Sequence, residues 1–474
     1  MIIRWSLTKN MAEIGVIILA AGRGTRMKSG LPKVLHRIGG KPLFLHVLET
    51  AKLLQPRRVA IVIGYGADAV RHAYGGAEVT WVTQENQLGT GHAVLSTKQS
   101  FSDFRGDLLI LSGDVPLVSE RTLRTMVARH REEKAAATLM TAVLDEPGGY
   151  GRILRDGHGA LTATVEEKDA TEEQRRIQEV SVGAYVAQGE FLFKTLEQVR
   201  NDNRQGEYYL PDIVGIGIGH GRKIATLQVG DPREMLGINT REELARMEKT
   251  LRERINKKWM DAGVTLKDPD TTYIEDGVTI GRDTIIGPNT QLCGRTIIGE
   301  RCQIDGTVFL TDVDIGDDVQ LKFSVVMTSS RIDPGAIVGP FAHLRPGTWL
   351  GRNVHIGNFV EAKAAQIGEG TKANHLTYLG DVTIGRDTNV GAGTITCNFD
   401  GFNKYKTQIG DRVQVGSDTT LVAPVALGDD AYVATATTVR HDVPAGALVY
   451  NERQERVREG WTEKKRNKMK GTKN

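Results

Sequence analysis

Two groups of polar residues in the sequence have the types and spacing for chemistry on phosphorylated substrates. In the first half, the Gly-rich loop Gly22–Arg26 follows the apolar run 14–19 directly and carries two arginines. Its glycines let backbone N–H groups approach an anion closely, and the arginines add positive charge. Lys33, a second Gly-rich stretch at 88–93 and Asp114 follow. A carboxylate at the end of a buried strand suits a Mg²⁺ ion that bridges phosphates, so this half is predicted to bind a nucleotide.

Each of these signals has a plainer explanation when it is taken alone. A tight turn after a strand often binds nothing, and the Gly22–Arg26 loop matches neither G-x-G-x-x-G nor the P-loop pattern. Asp114 alone would be better explained as a helix cap. Their occurrence in one stretch favours the binding hypothesis, in which the helix after the loop also points its positive end at the ligand.

The second group lies in the other half of the chain. Arg345 and Lys363 are 18 residues apart and together could bind a phosphate. His375, with a pKa near neutrality, could act as a general base, and Glu361 is nearby in the sequence. A lone histidine in such a region is more often a surface or packing residue, but the cationic pair and the carboxylate favour a catalytic role here.

A period of six residues predicts how this second group is positioned. Aliphatic residues recur every sixth position in three runs, at 274–304, 332–356 and 409–439, often followed by glycine. Neither a helix nor a strand has this period, whereas the coils of a parallel β-helix do. The aliphatic residue points into the coil and the small residue relaxes the turn, and three such positions make one coil. The region is predicted to hold roughly nine coils and to stack residues 18 apart on one face.

The period is lost between Gly393 and Gln408. The residues 394–407 are polar, aromatic and basic, which predicts a loop that leaves the coil and contacts a ligand. A tolerated insertion is the alternative. Cys397 lies in this loop and is interpreted as a small loop residue, since no acyl-enzyme is needed.

The first half alternates buried strands with helices, which is typical of a doubly wound α/β sheet that binds ligands at the carboxyl ends of its strands. Residues 240–259 have one apolar face and predict a helical arm. The predicted domains are therefore an N-terminal extension at 1–13, an α/β domain at 14–239, an arm at 240–262, a β-helix at 263–450 and a solvated, partly disordered tail at 451–474. Met11 is an alternative start to Met1.

Composition excludes several classes of protein. The net charge of +3 over 474 residues gives no reason to expect nucleic acid as the main partner. No apolar run approaches the length of a membrane span, and the first ten residues are too polar for a signal peptide. Three cysteines without C-x-x-C spacing fit a reduced, cytoplasmic compartment.

In combination, the motifs L-A-A-G-R-G-T-R-M, L-P-K-V-L, L-G-T-G-H-A, G-D-V-P-L and G-Y-G-R-I resemble those of sugar-phosphate nucleotidyltransferases. With the hexapeptide region added, residues 14–462 resemble the bacterial bifunctional N-acetylglucosamine-1-phosphate uridyltransferase/glucosamine-1-phosphate N-acetyltransferase family. The resemblance implies an α/β Rossmann-like domain followed by a left-handed parallel β-helix. It also implies a homotrimer whose coenzyme site is shared between subunits, and synthesis of UDP-N-acetylglucosamine, a precursor of peptidoglycan and lipopolysaccharide.

For the first domain, the resemblance implies transfer of UMP from UTP to N-acetylglucosamine 1-phosphate with Mg²⁺ and release of pyrophosphate. Asp114 and Asn239 are the implied metal ligands. The residues implied to contact the nucleotide or sugar are Leu19, Ala20, Ala21, Gly22, Arg26, Lys33, Gln84, Gly89, Thr90, Asp114, Gly151, Glu166, Ser181 and Asn239. Ser181 and Ser112 depart from the family's frequent Asn and Tyr, and both changes leave the phosphate and metal ligands in place.

For the β-helix, the resemblance implies acetyl transfer from acetyl-CoA to glucosamine 1-phosphate, with His375 as base and Glu361 orienting it. The implied sugar-phosphate ligands are Arg345, Lys363, Tyr378 and Asn389. The implied acetyl-CoA contacts are Ala392, Asn398, Phe399, Ser417, Thr435 and Arg453. Phe399 and Thr435 replace a frequent Tyr and Ala, and Glu452 stands where the family has an Arg, with Arg453 beside it.

Three functional hypotheses remain open from the sequence. The first is an enzyme that catalyses both reactions. The second is a single-function nucleotidyltransferase whose β-helix serves assembly or regulation, and the third is a non-catalytic scaffold with the same two domains. Retention of Gly22, Arg26, Lys33 and Asp114 argues against the scaffold, and His375 with Lys363 and Arg345 argues against the single-function enzyme.

Overall fold

The structure is a computed structural model that describes residues 14–452 and 454–471. The predicted N-terminal extension and Arg453 lie outside the described residues. The chain divides into two units, of which the first ends at Arg254 and the second begins at Ile255. This division falls inside the helix Arg241–Asp261, the segment that the sequence predicts as a helical arm.

The first unit is built on a twisted sheet whose central strand is Ile14–Ala20, buried on both faces. This strand pairs in parallel with Arg58–Ile63 on one side and Asp107–Ser112 on the other. The strands in spatial order are Ile224–Gln228, Ala137–Val143, Glu179–Gln188, Asp107–Ser112, Ile14–Ala20, Arg58–Ile63 and Thr80–Thr83, with Gly151–Arg155 and Leu161–Val165 as a hairpin beside Glu179–Gln188. Two short strands, Arg37–Ile38 and Lys41–Pro42, pair separately.

The sheet is mixed, which the sequence pattern does not predict. Glu179–Gln188 runs antiparallel to both of its long neighbours. Because the other long strands are parallel, the carboxyl ends of Ile14–Ala20, Arg58–Ile63 and Asp107–Ser112 still meet at one edge.

Helices cover both faces of this sheet and enclose two apolar clusters. The α-helices in chain order are Leu43–Lys52, Ala67–Tyr74, Thr90–Leu95, Glu120–Glu132, Glu172–Arg175, Gly189–Leu196, Asp212–Gly219 and Arg241–Asp261. The 3₁₀ turns of this unit are Thr25–Met27, Lys33–Leu35, Lys98–Phe101 and Pro232–Met235.

The second unit is a parallel β-helix with three faces, and a further 3₁₀ turn at Pro269–Thr271. Face 1 contains Thr265–Leu266, Ile285–Ile286, Gln303–Ile304, Gln320–Leu321, Ile337–Val338, the first parts of His355–Lys363 and Lys372–Gly380, Asn389–Val390, Gln414–Val415, Tyr432–Val433 and Leu448–Val449. Face 2 contains Tyr273–Ile274, Gln291–Cys293, Phe309–Thr311, Val326–Thr328, His343–Leu344, the second parts of His355–Lys363 and Lys372–Gly380, Ile395–Cys397, Thr420–Val422 and Thr438–Val439. Face 3 contains Thr279–Ile280, Ile297–Ile298, Asp314–Ile315, Arg331–Ile332, Trp349–Leu350, Gln366–Ile367, Val382–Ile384, Thr407–Ile409 and Val425–Leu427.

The aliphatic residues of the six-residue period are buried inside the coil, as the sequence predicts. Leu344, Leu350 and Ile356 are each 0 % exposed. The coil also continues through 305–331, where the period is interrupted. Here the buried Leu310 and Ile315 are five positions apart, because some coils contain 17 residues instead of 18. The interruption therefore marks a shorter coil and not a gap between two coiled regions.

The glycines that follow the aliphatic positions serve close stacking of the coils. A Cβ on Gly281 would lie 2.5 Å from the carbonyl carbon of Gly299, one coil further along. Gly281 does not have a positive φ, whereas the nearby turn residue Asp283 does, at 60°. Glycine is therefore required at this position by contact between successive coils and not by the conformation of the turn.

The interruption after Gly393 contains a loop that is shorter than the sequence predicts. Ile395–Cys397 remains a face 2 strand and pairs with Thr420–Val422, and the coil resumes at Thr407–Ile409. Residues 398–406 are therefore the part that leaves the coil.

The end of the described chain also differs from the prediction. Trp461–Gly471 is a helix, although the residues 461–469 are exposed as expected of a solvated end. No helix in the described ranges combines the length and the apolar character needed to cross a bilayer.

Candidate active sites in the two units

The phosphate end of the first candidate site is formed at the carboxyl edge of the sheet. Leu19 and Ser112 are opposite each other in neighbouring strands, and the Gly113 N–H donates to the Leu19 carbonyl at 2.9 Å. Asp114, which follows the end of its strand, therefore lies beside residues 20–22 at the end of the central strand. The prediction that both stretches lie at one edge is confirmed.

The Gly22–Arg26 loop is held in a conformation that requires glycine. Gly24 has φ 66°, and a Cβ there would lie 2.5 Å from the Cβ of Lys33. The loop leads into the 3₁₀ turn Thr25–Met27, and the first α-helix after it begins at Leu43. The expectation of a helix pointing its positive end at the ligand is therefore wrong, because one 3₁₀ turn has a negligible dipole. Positive charge from arginine and lysine side chains is what this loop offers an anion.

Lys33, Asp114 and Asn239 converge from three separate segments. The Lys33 ammonium forms an ion pair with the Asp114 carboxylate and donates to the Asn239 Oδ1 at 3.1 Å. The Arg26 guanidinium donates to the same amide oxygen at 2.9 Å. A carboxylate oxygen and an amide oxygen thus contact the same ammonium, and two such hard oxygen atoms fit a divalent ion that takes its other ligands from water or phosphate. In the described residues there is no cluster of three or more His, Cys, Asp or Glu suited to a metal.

Asn239 is positioned by its own helix start and by Tyr150. The Glu243 carboxylate accepts from the backbone N–H groups of Asn239 at 2.5 Å and Thr240 at 3.1 Å. Two residues before Asn239, the Gly237 N–H donates to the Tyr150 hydroxyl oxygen at 3.2 Å. Burial raises the pKa of Tyr150, so its hydroxyl stays protonated. Tyr150 was missed as a site residue, although the motif G-Y-G-R-I contains it.

The base-binding end predicted from the sequence is a compact group around a buried amide. Gln84 is 4 % exposed, and its Nε2 donates to the Gly89 carbonyl at 3.1 Å and contacts His92 Nδ1 at 3.0 Å. Gly89 has φ 106°, and Thr90 begins the next helix with its hydroxyl accepting from the Leu210 N–H at 3.0 Å. These contacts fix the amide and the loop together, which suits recognition of one edge of a base.

Substitution of Gly89 by alanine is expected to weaken nucleotide binding. A Cβ at this position would lie 2.6 Å from the Tyr208 carbonyl oxygen, and φ 106° is unfavourable for alanine. The loop must move, so we expect the KM for UTP, the substrate that the sequence resemblance implies, to rise roughly tenfold, from a strain of about 1–3 kcal/mol. Steady-state kinetics at varied UTP measures it, and Gly206→Ala is a control with a positive φ but open space around the Cβ. An unchanged KM for UTP would contradict the assignment of this loop.

The predicted sugar-contacting residues Gly151, Glu166 and Ser181 lie side by side. Ser181 is opposite Gly151 in the paired strands, and the Glu166 Oε1 is 3.5 Å from the position of a Gly151 Cβ. The Ser181 hydroxyl is hydrogen-bonded to the Tyr185 hydroxyl at 3.0 Å. Ser181, which is shorter than the asparagine that the family often has here, is therefore held in place by the buried Tyr185.

Several carboxylates surround this end of the site. Burial raises the pKa of Glu166, and the charges of Asp212 and Asp169 add to this effect. Burial, with Asp169 and Asp202, also raises the pKa of Asp212 to about 6. The Tyr209 hydroxyl donates to Asp169 at 3.2 Å. The region has excess negative charge, which disfavours phosphate and suits the hydroxyl groups of a sugar.

Asp212→Asn is expected to stabilise the first unit at pH 8 but not at pH 4. The folded pKa of about 6 is above the usual value near 3.9, so the Asp212 contribution favours folding below about pH 4 and is lost as pH rises to 6. Above pH 6 the ionised, partly buried carboxylate destabilises the fold. After allowance for solvent screening, we expect the variant to gain about 1 kcal/mol at pH 8. Thermal unfolding by circular dichroism at both pH values measures it, and equal gains at both would contradict the cause.

The second candidate site lies where the strands Lys372–Gly380 and His355–Lys363 bend from face 1 to face 2. His375 and Asn358 are opposite each other, and His375 Nδ1 lies 3.2 Å from the Asn358 Oδ1. Glu361 instead accepts from the Arg345 guanidinium at 2.8 Å. The residue that orients His375 in this structure is therefore Asn358, and the expected orienting contact from Glu361 is not formed. Asn358 precedes Phe359-Val360-Glu361 in the sequence but carries no signal of this pairing.

Lys363 lies in a polar group at the far edge of face 2. Its ammonium is 3.9 Å from the Asp381 carboxylate, which also accepts from the Asn398 amide. Interaction with Lys363 lowers the pKa of Lys404, so the 398–406 loop brings a second ammonium to this edge. Lys404 was not assigned from the sequence, although the basic content of its loop suggests a ligand contact.

The remaining predicted residues divide between the faces. Tyr378 is on face 2, opposite Glu361, whereas Asn389 is on face 1, opposite Lys372. Ala392, Ser417 and Thr435 stack on successive coils, since Asp418 N–H donates to the Ala392 carbonyl and Ala436 N–H to that of Ser417. Phe399 is in the loop and 58 % exposed. The predicted coenzyme residues thus form a line toward the C-terminal coils, and Arg453 lies outside the described residues.

Comparison with known proteins covers both units. Residues 16–184 match the MobA-like NTP transferase domain, and residues 406–439 match the hexapeptide repeat of succinyl-transferase, consistent with a left-handed coil. The chain is 47 % identical over 452 residues to a bifunctional protein GlmU of Pelobacter propionicus, covering 95 % of this chain and 98 % of that protein. It is 46 % identical over 457 residues to the GlmU of Geotalea uraniireducens, covering 96 % and 100 %. The GlmU of Streptococcus agalactiae is 43 % identical over 449 residues, covering 95 % and 97 %.

Proposed function

Because the chain belongs to the family of bifunctional GlmU proteins, we propose that each unit catalyses one of two consecutive reactions that make UDP-N-acetylglucosamine. The family implies nucleotide-sugar substrates and a divalent metal, and the two matched domains make the chain a nucleotidyltransferase and an acyltransferase. The observation that carries the proposal is that each unit contains its own cluster of converging polar side chains. The alternatives of a single-function enzyme and a scaffold explain only one cluster or neither.

In the first unit, the substrates are UTP and N-acetylglucosamine 1-phosphate. Gln84 and the Gly89-Thr90 turn bind the uracil edge, and residues 19–22 hold the ribose side. Glu166, Gly151 and Ser181 bind the sugar hydroxyls. The sugar phosphate attacks the α-phosphorus of UTP in line, and pyrophosphate leaves. The protein contributes positioning and charge. Arg26 and Lys33, which both donate to the Asn239 amide oxygen, supply positive charge for the phosphates.

Asp114 and Asn239 would hold a Mg²⁺ ion, which suits their carboxylate and amide oxygens. When bound, the ion neutralises charge on the phosphates. The Lys33 ammonium contacts both of these side chains, so it lies beside the proposed metal ligands and adds positive charge where the phosphates of the substrate would bind.

In the second unit, the substrates are glucosamine 1-phosphate and acetyl-CoA. An amide oxygen only accepts hydrogen bonds, so the Asn358 contact keeps the proton on His375 Nδ1 and leaves Nε2 free to accept one. Nε2 removes a proton from the substrate amine as the amine attacks the thioester carbonyl, and the thiolate of coenzyme A leaves. Arg345, Lys363, Tyr378 and Asn389 bind the sugar phosphate. Ala392, Ser417, Thr435, Asn398, Phe399 and Arg453 contact the coenzyme.

A homotrimer is the proposed assembly. Seven exposed apolar side chains lie on face 2 and its corner with face 1, and a patch of this kind is typical of an interface. They are Phe309, Phe323, Val326, Phe341, Phe359, Leu376 and Ile395. Phe341 and Phe359 are stacked with ring centroids 5.4 Å apart, and Phe359 directly follows Asn358, the hydrogen-bond partner of His375. Light scattering tests this proposal, and a fully active monomer would contradict it.

An assay of the purified protein tests the two reactions. With glucosamine 1-phosphate, acetyl-CoA, UTP and Mg²⁺ present, we expect UDP-N-acetylglucosamine to form. Omitting acetyl-CoA should prevent formation of UDP-N-acetylglucosamine unless N-acetylglucosamine 1-phosphate is supplied. Formation of UDP-sugar only from supplied N-acetylglucosamine 1-phosphate would favour the single-function alternative.

The free state of Cys293, Cys302 and Cys397 fits the proposed cytoplasmic location.

A further inference from the structure

A buried arginine lies directly behind the proposed sugar contacts of the first unit. Arg152 is 2 % exposed and follows Gly151 in the strand Gly151–Arg155. Successive residues of a strand face opposite sides, so the Arg152 side chain lies on the side of the hairpin away from the sugar. A guanidinium that is removed from water must be satisfied by protein groups, because an unpaired buried charge is costly. The groups that Arg152 contacts therefore indicate which segments it holds in place.

The Arg152 guanidinium joins three segments of the chain. It donates to the Tyr150 carbonyl through Nη1, and to the Arg175 carbonyl through Nε at 3.3 Å and Nη2 at 3.2 Å. The same Nη2 lies 3.7 Å from the Glu167 carboxylate. These partners belong to the turn before the strand, to the end of a short helix and to the residue after Glu166. One buried side chain thus fixes all three segments relative to one another.

The turn before Arg152 depends on contacts with other segments. It is closed by a hydrogen bond from the Tyr150 N–H to the Pro147 carbonyl at 3.4 Å and contains two consecutive glycines. Gly149 has φ 84°, and no atom lies within 4 Å of the position of a Cβ there. Its N–H donates to the Glu167 carboxylate at 2.6 Å. Consecutive glycines have wide conformational freedom, so the bonds to Arg152 and Glu167 are what hold the turn in one conformation.

Arg152 and Glu167 are each covalently next to a proposed sugar contact. Gly151 precedes Arg152, and Glu166 precedes Glu167. The Glu166 Oε1 lies 3.5 Å from the position of a Gly151 Cβ, so the two sugar contacts are also neighbours in space. A shift of Arg152 relative to Glu167 therefore changes the separation of Gly151 and Glu166. Recognition of sugar hydroxyls is sensitive to such a shift, because O–H···O hydrogen bonds span only about 0.5 Å in length.

The metal side of the same turn is held by a separate contact. The Tyr150 hydroxyl oxygen accepts from the Gly237 N–H at 3.2 Å, and a Cβ on Gly237 would lie 3.7 Å from the Asp114 Oδ2. This bond uses the Tyr150 side chain and does not involve Arg152. Loss of the Arg152 contacts should therefore disturb the sugar end of the site more than its metal and nucleotide end.

We propose that the ion pair of Arg152 and Glu167 positions Gly151 and Glu166, and thereby sets the affinity of the first unit for the sugar of its substrate. This inference rests on the proposed uridylyl transfer and adds two positioning residues to it. Both act through their neighbours in the chain and touch no substrate. The pair favours sugar binding without contributing to the binding of UTP.

The test is the variant Arg152→Gln, with Arg155→Gln as the matched control. Arg155 lies on the same strand, and its guanidinium is paired with Glu179 at 2.8 and 2.7 Å. We expect the KM for N-acetylglucosamine 1-phosphate to rise about tenfold in Arg152→Gln, from the loss of charged hydrogen bonds. The KM for UTP and the acetyl-transfer rate should change less than about twofold. Arg155→Gln should leave both KM values within about twofold of the wild type.

Two further variants separate positioning from folding. Arg152→Lys keeps the charge but loses the planar fork of donors, so the KM for the sugar phosphate should rise only about threefold. Glu167→Ala changes the pair from its more accessible side, since the Glu167 side chain is 36 % exposed. It should raise the same KM about threefold or more and leave the KM for UTP unchanged. Glu167→Ala therefore decides the question if Arg152→Gln does not fold.

Three outcomes overturn the proposal. They are an unchanged KM for N-acetylglucosamine 1-phosphate in a folded Arg152→Gln or Glu167→Ala protein, an equal rise in the KM for UTP, and the same effect in Arg155→Gln. Calorimetric binding of UDP-N-acetylglucosamine and of UTP needs no turnover, and Arg152→Gln should weaken the first about tenfold and the second less than about twofold. A wild-type protein that binds both ligands but transfers no uridylyl group would overturn only the proposed function. The ratio of the two affinities in wild type and variant would still decide the role of the pair.

Discussion

Replacement of His375 by alanine is expected to reduce acetyl transfer by about 100- to 10,000-fold while leaving uridylyl transfer unchanged. His375 Nδ1 lies 3.2 Å from the Asn358 Oδ1, which leaves Nε2 to accept a proton. Without it no side chain accepts the proton that the amine must lose for its nitrogen to form the bond to the thioester carbonyl. The loss should appear in kcat more than in the KM for either substrate, because the base acts in the transition state.

Two controls make the His375 result specific. His441→Ala removes an exposed histidine of the same unit and should leave both activities unchanged. Asn358→Ala should lower acetyl transfer by a smaller factor, about tenfold, because it frees the histidine ring without removing it. If His375→Ala kept the wild-type rate, the β-helix would serve only assembly or regulation.

The β-helix was predictable because its period follows from local geometry. Any coil of short strands must bury an aliphatic residue at each face, so the six-residue spacing of the buried Leu344, Leu350 and Ile356 predicts the β-helix directly. The detailed pairing was not predictable. Glu361 is 18 residues after its strand partner His343, but His375 is only 17 after Asn358. A uniform spacing of 18 would place His375 beside Gly357, and a one-residue difference in a coil leaves no clear signal in the sequence.

In the first unit, the position of Asp114 could be predicted from its strand, whereas the position of Asn239 could not. Parallel strands place Asp114 beside the loop after the central strand, which follows from topology. Asn239 returns to the same edge 125 residues later, and only its resemblance to a family motif identifies it. The antiparallel strand Glu179–Gln188, which brings Ser181 to Gly151, also depends on long-range pairing.

Asp114→Ala is expected to lower uridylyl transfer by about 100-fold or more at metal concentrations that saturate the wild type. The substitution leaves Asn239 as the only protein oxygen of the pair, and a neutral amide binds a divalent cation far less well than a carboxylate. It also leaves the Lys33 ammonium without its anionic partner, so the balance of charge at the phosphates changes. Acetyl transfer belongs to the other unit and should keep its wild-type rate.

A binding measurement separates the metal role of Asp114 from a structural one. Mn²⁺ binding followed by electron paramagnetic resonance, with UTP present, should weaken at least about tenfold in Asp114→Ala, and less in Asp114→Asn, which keeps an oxygen ligand. Asp68→Ala removes a carboxylate whose side chain is 100 % exposed and should change neither binding nor rate. A slow Asp114→Ala protein with unchanged Mn²⁺ binding would instead mean that Asp114 acts by holding Lys33. In that case the Lys33→Ala variant should be equally slow. Lys33→Ala removes the ammonium, and Asp114→Ala removes the carboxylate that holds it in position.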